Sequence, residues 1–167
     1  MASLTQIELL LPELRAYSRS ICHSRDDADD LVQDAIVRAL RIDSRPDKLD
    51  ELRPWMFRII RNLSIDELRK KRVRREYFQA QERLSCNMSS GADVARDTLL
   101  RLAFEKLPPK TREILFLVDI MGMKYGEAAD VMGVPNGTVM SRISRARRAL
   151  LVLVDGPVEA GTRRKKN

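Results

Sequence analysis

The stretch LPPKTREILFLVDIMGMKYGEAADVMGVPNGTVMSRISRARRAL, residues 107–150, reads as three helices and two sharp turns. Pro109 suits a first helical position, where its missing N–H has no partner to lose. Ile114, Leu117, Val118 and Met121 recur at helical spacing, and Gly122 ends the run. A short second helix is predicted over about 126–132. Gly133-Val134-Pro135 breaks it, and Asn136 is expected to cap a third helix. Ala129, Gly133 and Val139 carry the packing logic of a helix-turn-helix. A small residue lets two helices approach, a glycine allows the turn, and a branched apolar residue locks the second helix.

The third helix divides by face. Val139, Ile143, Ala146 and Leu150 fall on one side, and Ser141, Ser144, Arg145 and Arg148 on the other. Short hydroxyls and arginines on a docking helix suit a major groove, where arginine reads guanine bidentately or holds phosphate. The plainer alternative is a solvated helix face that happens to be basic.

The rest of the composition agrees with a helical, nucleic-acid-seeking chain. Its 167 residues allow one domain or two small ones. Aromatic content of 5% predicts small aliphatic cores, and strand-like alternation is scarce, so an all-α protein is expected. A net charge of +7 and a pI near 9.8 point to a polyanionic partner. The start, MASLTQIELLLPELR, lacks a basic leader, and no apolar run approaches the ~20 residues that span a bilayer. No membrane insertion and a cytoplasmic location are therefore expected. Cys22 and Cys86 are too few for a disulfide framework, and His23 is the single histidine, so no metal or other cofactor is expected.

Upstream of the opening stretch, a first helix is predicted over about 4–22, with Ile7, Leu10, Leu11 and Leu14 in register and Pro12 as a kink or a late start. Ser24 to Asp27 reads as a turn and cap. A second helix over about 27–41 turns Ala28, Leu31, Val32, Ala35 and Ala39 inward, and its acidic start complements the helix dipole. Its outer face presents Asp30, Gln33, Asp34, Val37 and Arg41, with Val37 hinting at a protein partner. Residues 42–53 read as a loop, and Pro54 is expected to open a third helix whose apolar side is Trp55, Met56, Ile59, Ile60 and Leu63. That helix ends in a basic run from Arg69 to Arg75, suited to a phosphate backbone. Trp55 and Phe57 are candidates to support or stack on bases, with core packing the alternative for Trp55. Periodicity dissolves between about 77 and 95, which reads as a flexible linker reaching up to ~70 Å when extended, about two turns of duplex. A fourth helix over about 94–106 is expected to turn Leu99, Leu102 and Ala103 inward. The predicted layout is therefore two small helical domains, 1–76 and 96–154, joined by linker 77–95 and followed by a basic, disordered tail at 155–167.

With those residues in view, the chain resembles the extracytoplasmic-function sigma factors of bacterial RNA polymerase over nearly its whole length. DADDLVQDAIVRAL (27–40) is similar to the family's second conserved region, PWMFRIIRNLSIDELRKKRVRR (54–75) to its promoter-melting helix, and residues 107–150 to its fourth region. The resemblance implies a protein without chemistry of its own. Such a protein binds core polymerase through the clamp helices and flap, recognises promoter DNA at minus-35 and minus-10 elements, and initiates transcription. It also implies control by an anti-sigma factor, and GTVMSRISRAR (137–147) is similar to members of the general-stress-response group in alphaproteobacteria.

Carried over by position, Asp30, Leu31, Gln33, Asp34 and Val37 are the expected polymerase contacts. Asn62 matches a minus-10 contact, and the loop 46–53, with Pro46 and Leu49, matches the segment that captures an unstacked base. Trp55, Arg69 and Lys70 complete the expected minus-10 set. Thr138, Met140, Ser141, Arg142, Ser144, Arg145 and Arg148 are the expected minus-35 set. Met140 stands where other members carry arginine and Ser144 where others carry an aromatic, so promoter sequence does not transfer from relatives. Loop 46–53 also lacks the family's usual aromatic. Two other readings compete. One is a decoy that keeps the fold to titrate an anti-sigma factor; the basic run 69–75 and the Ser/Arg face argue against it. The other is an enzyme, for which no metal cluster, nucleophile elbow or phosphate loop is present.

Overall fold

The computed structural model describes residues 4–22, 24–77 and 95–155. They form seven α-helices and, among the described residues, no strand. Helix α1 runs Leu4–Ile21 and buries Ile7, Leu10, Leu14, Tyr17 and Ser18. Pro12 lies inside α1 on its exposed side, where water can satisfy the Glu8 carbonyl that loses its helical donor. Helix α2 runs Arg25–Leu40, and Ser24 caps it by accepting a 3.0 Å hydrogen bond from the Asp27 amide. Its buried residues are Ala28, Leu31, Val32, Ala35 and Ala39, the inward set expected from spacing.

Helix α3, Leu49–Tyr77, corrects two expectations. It begins at Leu49 rather than at Pro54, with the Lys48 carbonyl accepting from the Glu51 and Leu52 amides. The reason is tertiary: Leu52 is fully buried, and Arg53 donates to Glu13 of α1 at 2.6 Å. Together these outweigh the one backbone bond that Pro54 forgoes. The loop expected at 42–53 therefore shrinks, and 49–53 is helical. The second correction is Phe57, which is core: it is fully buried with its ring 4.8 Å from that of Tyr17, so it is not available to bases.

Residues 78–94 and 156–167, which hold most of the expected linker with Cys86 and the basic tail, lie outside the described residues, as does His23. Helix α4, Ala95–Lys106, buries Ala103, but Leu99 and Leu102 are exposed rather than inward. Helix α4 packs mainly on one neighbour, a long later helix, and the residues that reach the core are Phe104 and Leu107. Helix α5, Pro109–Leu115, has proline at its start as expected and widens into a π-turn over Phe116–Ile120, which spacing did not indicate. Gly122 (φ 65°) ends this segment. Helix α6, Tyr125–Met132, stops at Gly133 in the left-handed conformation (φ 62°). Helix α7, Asn136–Asp155, follows, and buries Val139, Ile143 and Ala146. The Pro135 carbonyl takes its first amide bonds, so Asn136 is the first helical residue rather than the cap.

Helices α1, α2 and α3 pack on one another, and α7 packs on both α5 and α6. Leu14, Leu31 and Met56 represent the first group in the core, and Ile114, Val131 and Val139 the second. The two sets belong to a single continuous apolar cluster.

Candidate nucleic-acid interface

Helix α7 is held by its apolar stripe and leaves the opposite stripe in solvent. Met140, Ser141, Ser144, Arg145 and Arg148 are exposed, and Thr138 and Arg142 are half-buried. A relay of hydrogen bonds orders this face: the Ser141 hydroxyl donates to the Thr138 carbonyl at 3.0 Å, and Arg145 Nε donates to the Ser141 carbonyl at 3.2 Å. Arg145 Nη2 also donates to Ser141 Oγ at 3.3 Å, so the guanidinium lies along the helix. Two open grooves flank the helix. One, of about 310 Å³, runs between α5 and α7 and carries Lys110, Arg142 and Arg145 over Ile114 and Ala149. The other, of about 390 Å³, is lined by Tyr125, Met140, Ser144, Arg147, Arg148 and Leu151. Cations on both flanks of an exposed helix suit the two phosphate strands that border a major groove.

Spacing alone did not single out Arg147. Its guanidinium donates to both carboxylate oxygens of Asp119 on the π-turn, at 2.6 and 3.0 Å. Hydrogen bonding to that carboxylate holds its pKa above the ordinary arginine value. The fork fixes the angle of α7 against the π-turn, which widens the preceding helix and carries Asp119. Nothing local in the sequence pairs positions 119 and 147; only the fold does.

The outer face of α2 presents Asp30, Gln33, Asp34 and Val37 together, with Val37 47% exposed. Leu31, expected with them, is buried in the core at 6% exposure, because its place in the helical repeat is the inward one. The minus-10 candidates are more scattered. Pro46 is half-buried in the loop, Leu49 is an exposed first helical residue, and Trp55 is half-buried against the core. Asn62 is exposed on the middle of α3. Arg69 and Lys70 are exposed near its far end, paired with Asp66 at 3.8 Å and Glu67 at 2.8 Å. Such surface pairs contribute little and exchange readily for phosphate. From Leu49 to Lys70 the helix covers about 32 Å, so this set forms a stripe rather than a pocket.

A buried polar cluster has no signature in the sequence. Glu113, buried on α5, accepts from the Tyr17 hydroxyl at 2.8 Å and from Arg61 Nε at 2.9 Å, both on Oε1. Burial and the adjacent carboxylate push the Tyr17 phenol well above its ordinary pKa, so it stays a donor. The three residues are far apart in sequence and look like ordinary polar positions there. Among the described residues no group of acids, histidines or cysteines could hold a metal. None of the described helices is long and apolar enough to cross a membrane.

Comparison with known proteins adds independent findings. Residues 6–74 match the family description Sigma-70 region 2, and residues 97–150 match Sigma-70, region 4. The chain is 38% identical over 156 residues to the ECF RNA polymerase sigma factor EcfG of Rhodopseudomonas palustris, covering 90% of this chain and 85% of that one. It is 35% identical to the RNA polymerase sigma factor CnrH of Cupriavidus metallidurans, covering 85% and 81%. Among solved structures, the sigma factor RpoE of Bartonella quintana, crystallised with the anti-sigma factor NepR, superposes with a TM-score of 0.68. It is 28% identical and is covered over 96% of its length, against 92% of this chain. With both conserved regions matched in order and relatives aligned over most of their length, the chain belongs to the extracytoplasmic-function sigma factors of bacterial RNA polymerase, initiation factors rather than enzymes.

Proposed function

We propose that the exposed faces of α2, α3 and α7 divide the work of promoter recognition. Helix α7 enters the major groove of the minus-35 element, with Thr138, Met140, Ser141, Ser144 and Arg145 toward base edges. Arg142 and Arg148 hold phosphates. The α3 stripe, with Asn62, Trp55, Arg69 and Lys70, meets the minus-10 element, and Pro46 and Leu49 border the place of an unstacked base. Asp30, Gln33, Asp34 and Val37 dock on the polymerase clamp helices, while Leu31 supports them from beneath. In this reading 1–76 forms the polymerase and minus-10 unit, 96–154 the minus-35 unit, 77–95 the connection and 155–167 a basic tail.

The observation that carries the reading is the exposed Ser/Arg face of α7, flanked on both sides by cations. A decoy that only titrates an inhibitor has no use for it. The complex of Bartonella RpoE with NepR supports a similar arrangement here: an anti-sigma partner that covers these faces until a stress signal releases them. The protein acts in the bacterial cytoplasm, where the polymerase is.

Mapping transcription start sites after overexpression tests this. New starts preceded by two shared elements about two helical turns apart are expected. Retained binding to core polymerase with no new start on any genomic fragment would favour the decoy instead.

A further inference from the structure

Met140 differs in kind from its neighbours on the outer face of α7. Around it lie hydroxyls and guanidiniums: Ser141, Ser144, Arg145 and Arg148, all exposed. Met140 is itself 54% exposed, while Val139, Ile143 and Ala146 hold the helix to the fold. A single exposed apolar side chain is ordinary on a protein surface. This one stands in the second turn of α7, and the N-terminal turns of a docking helix are the part that reaches base edges.

Its surroundings narrow what it can meet. Met140 lines the groove of about 390 Å³ on one flank of α7, together with Tyr125 and Ser144. Arg147 lines the same groove, but its Nε and Nη2 are turned to Asp119. A thioether has no hydrogen to donate and accepts only weakly, so Met140 cannot read guanine as an arginine does. Among the groups that base pairs show in the major groove, one is apolar: the C5-methyl of thymine. Thymine carries its O4 acceptor on the same edge. Ser144 follows Met140 at i+4, which makes the two side chains neighbours on the helix surface. A hydroxyl beside a thioether matches both groups of a single thymine.

We infer that Met140 is a specificity-determining residue that covers the C5-methyl of a thymine in the minus-35 element, while Ser144 donates to O4 of the same base. The inference rests on the reading above in which α7 enters the major groove of that element. Taking one methyl out of water raises affinity about fourfold.

The test uses the full chain assembled with core RNA polymerase, and labelled promoter fragments taken from mapped starts. Each thymine of the upstream element is replaced in turn by deoxyuridine, which pairs as thymine does and keeps O4 but lacks the methyl. One replacement is expected to weaken binding of the wild-type holoenzyme about fourfold. Met140→Ala binds the thymine fragment correspondingly less well and no longer distinguishes thymine from uracil there. Met140→Leu, still apolar, keeps most of the distinction. Both variants retain wild-type helical content, since the side chain lies outside the core. Ser144→Ala weakens the thymine and uracil fragments alike, and no loss on either removes Ser144 from the pair. A wild-type holoenzyme that tolerates uracil at every position, yet loses binding when the element is scrambled, overturns the inference and leaves the promoter reading standing. Met140→Ala with the wild-type uracil penalty overturns it too. A holoenzyme indifferent to scrambling strikes the promoter reading, and the inference falls with it.

Discussion

Arg145 and Cys22 show what single residues can be asked to do. Arg145 lies along α7, bonded to Ser141 on the exposed face of the helix. Arg145→Ala is expected to weaken minus-35 binding by ~1–3 kcal/mol and relax preference at one base pair if it reads a base. Titration of labelled duplexes with each base changed in turn separates that from a phosphate contact, which loses affinity evenly. No loss on any duplex removes Arg145 from the recognition surface. Cys22 tests burial. Its thiol is pushed up to about 11, chiefly by burial and then by Asp27, so it stays protonated at neutral pH. Alkylation of the Cys86→Ser chain at pH 8 should be about a hundredfold slower than for a free thiol of ordinary pKa, and should rise tenfold per pH unit until about pH 11. A rate that levels off near pH 9 contradicts the half-buried placement of this thiol. Residue identities were legible where a local rule applied, as for Pro109 at a helix start. They were not legible where partners meet only through the fold. Glu113 and Arg147 each depend on a side chain dozens of positions away, and no periodicity encodes that.

Helices were read well where one face is apolar and one polar. The inward set of α2 and the split faces of α7 follow directly from a 3.6-residue repeat. The reading failed where tertiary contacts override local punctuation. Pro54 marks a helix start by rule, yet the buried Leu52 and the clasp of Arg53 extend α3 back to Leu49. Leu99, Leu102 and Ala103 read as one inward set, yet only Ala103 is buried; α4 lies at the edge and leaves the two leucines uncovered. The left-handed turn is a sharper test at this scale. Gly133 has φ 62° with nothing near its absent Cβ, so Gly133→Ala is a pure backbone cost of about 1–2 kcal/mol. Gly126, within α6 at ordinary φ and equally uncrowded, should gain about 0.5–1 kcal/mol as alanine. Denaturant melts of the two variants decide it, and equal effects of the same sign contradict the turn assignment.

At the scale of the whole molecule, the sequence indicates two helical units and their order but not how they pack. The linker composition says only that they can separate. The seam between them depends on shape and on Glu113 meeting Arg61 across 52 positions, a pairing that only the fold makes. What the units share is the arrangement of three exposed faces, on α2, α3 and α7, around a continuous core. Runoff transcription tests that arrangement most directly: purified chain, core RNA polymerase, and a promoter fragment taken from the mapped starts. One transcript of defined length is predicted, lost when either promoter element is scrambled. A polymerase that binds the chain yet starts nowhere, or starts equally well with both elements scrambled, contradicts the account.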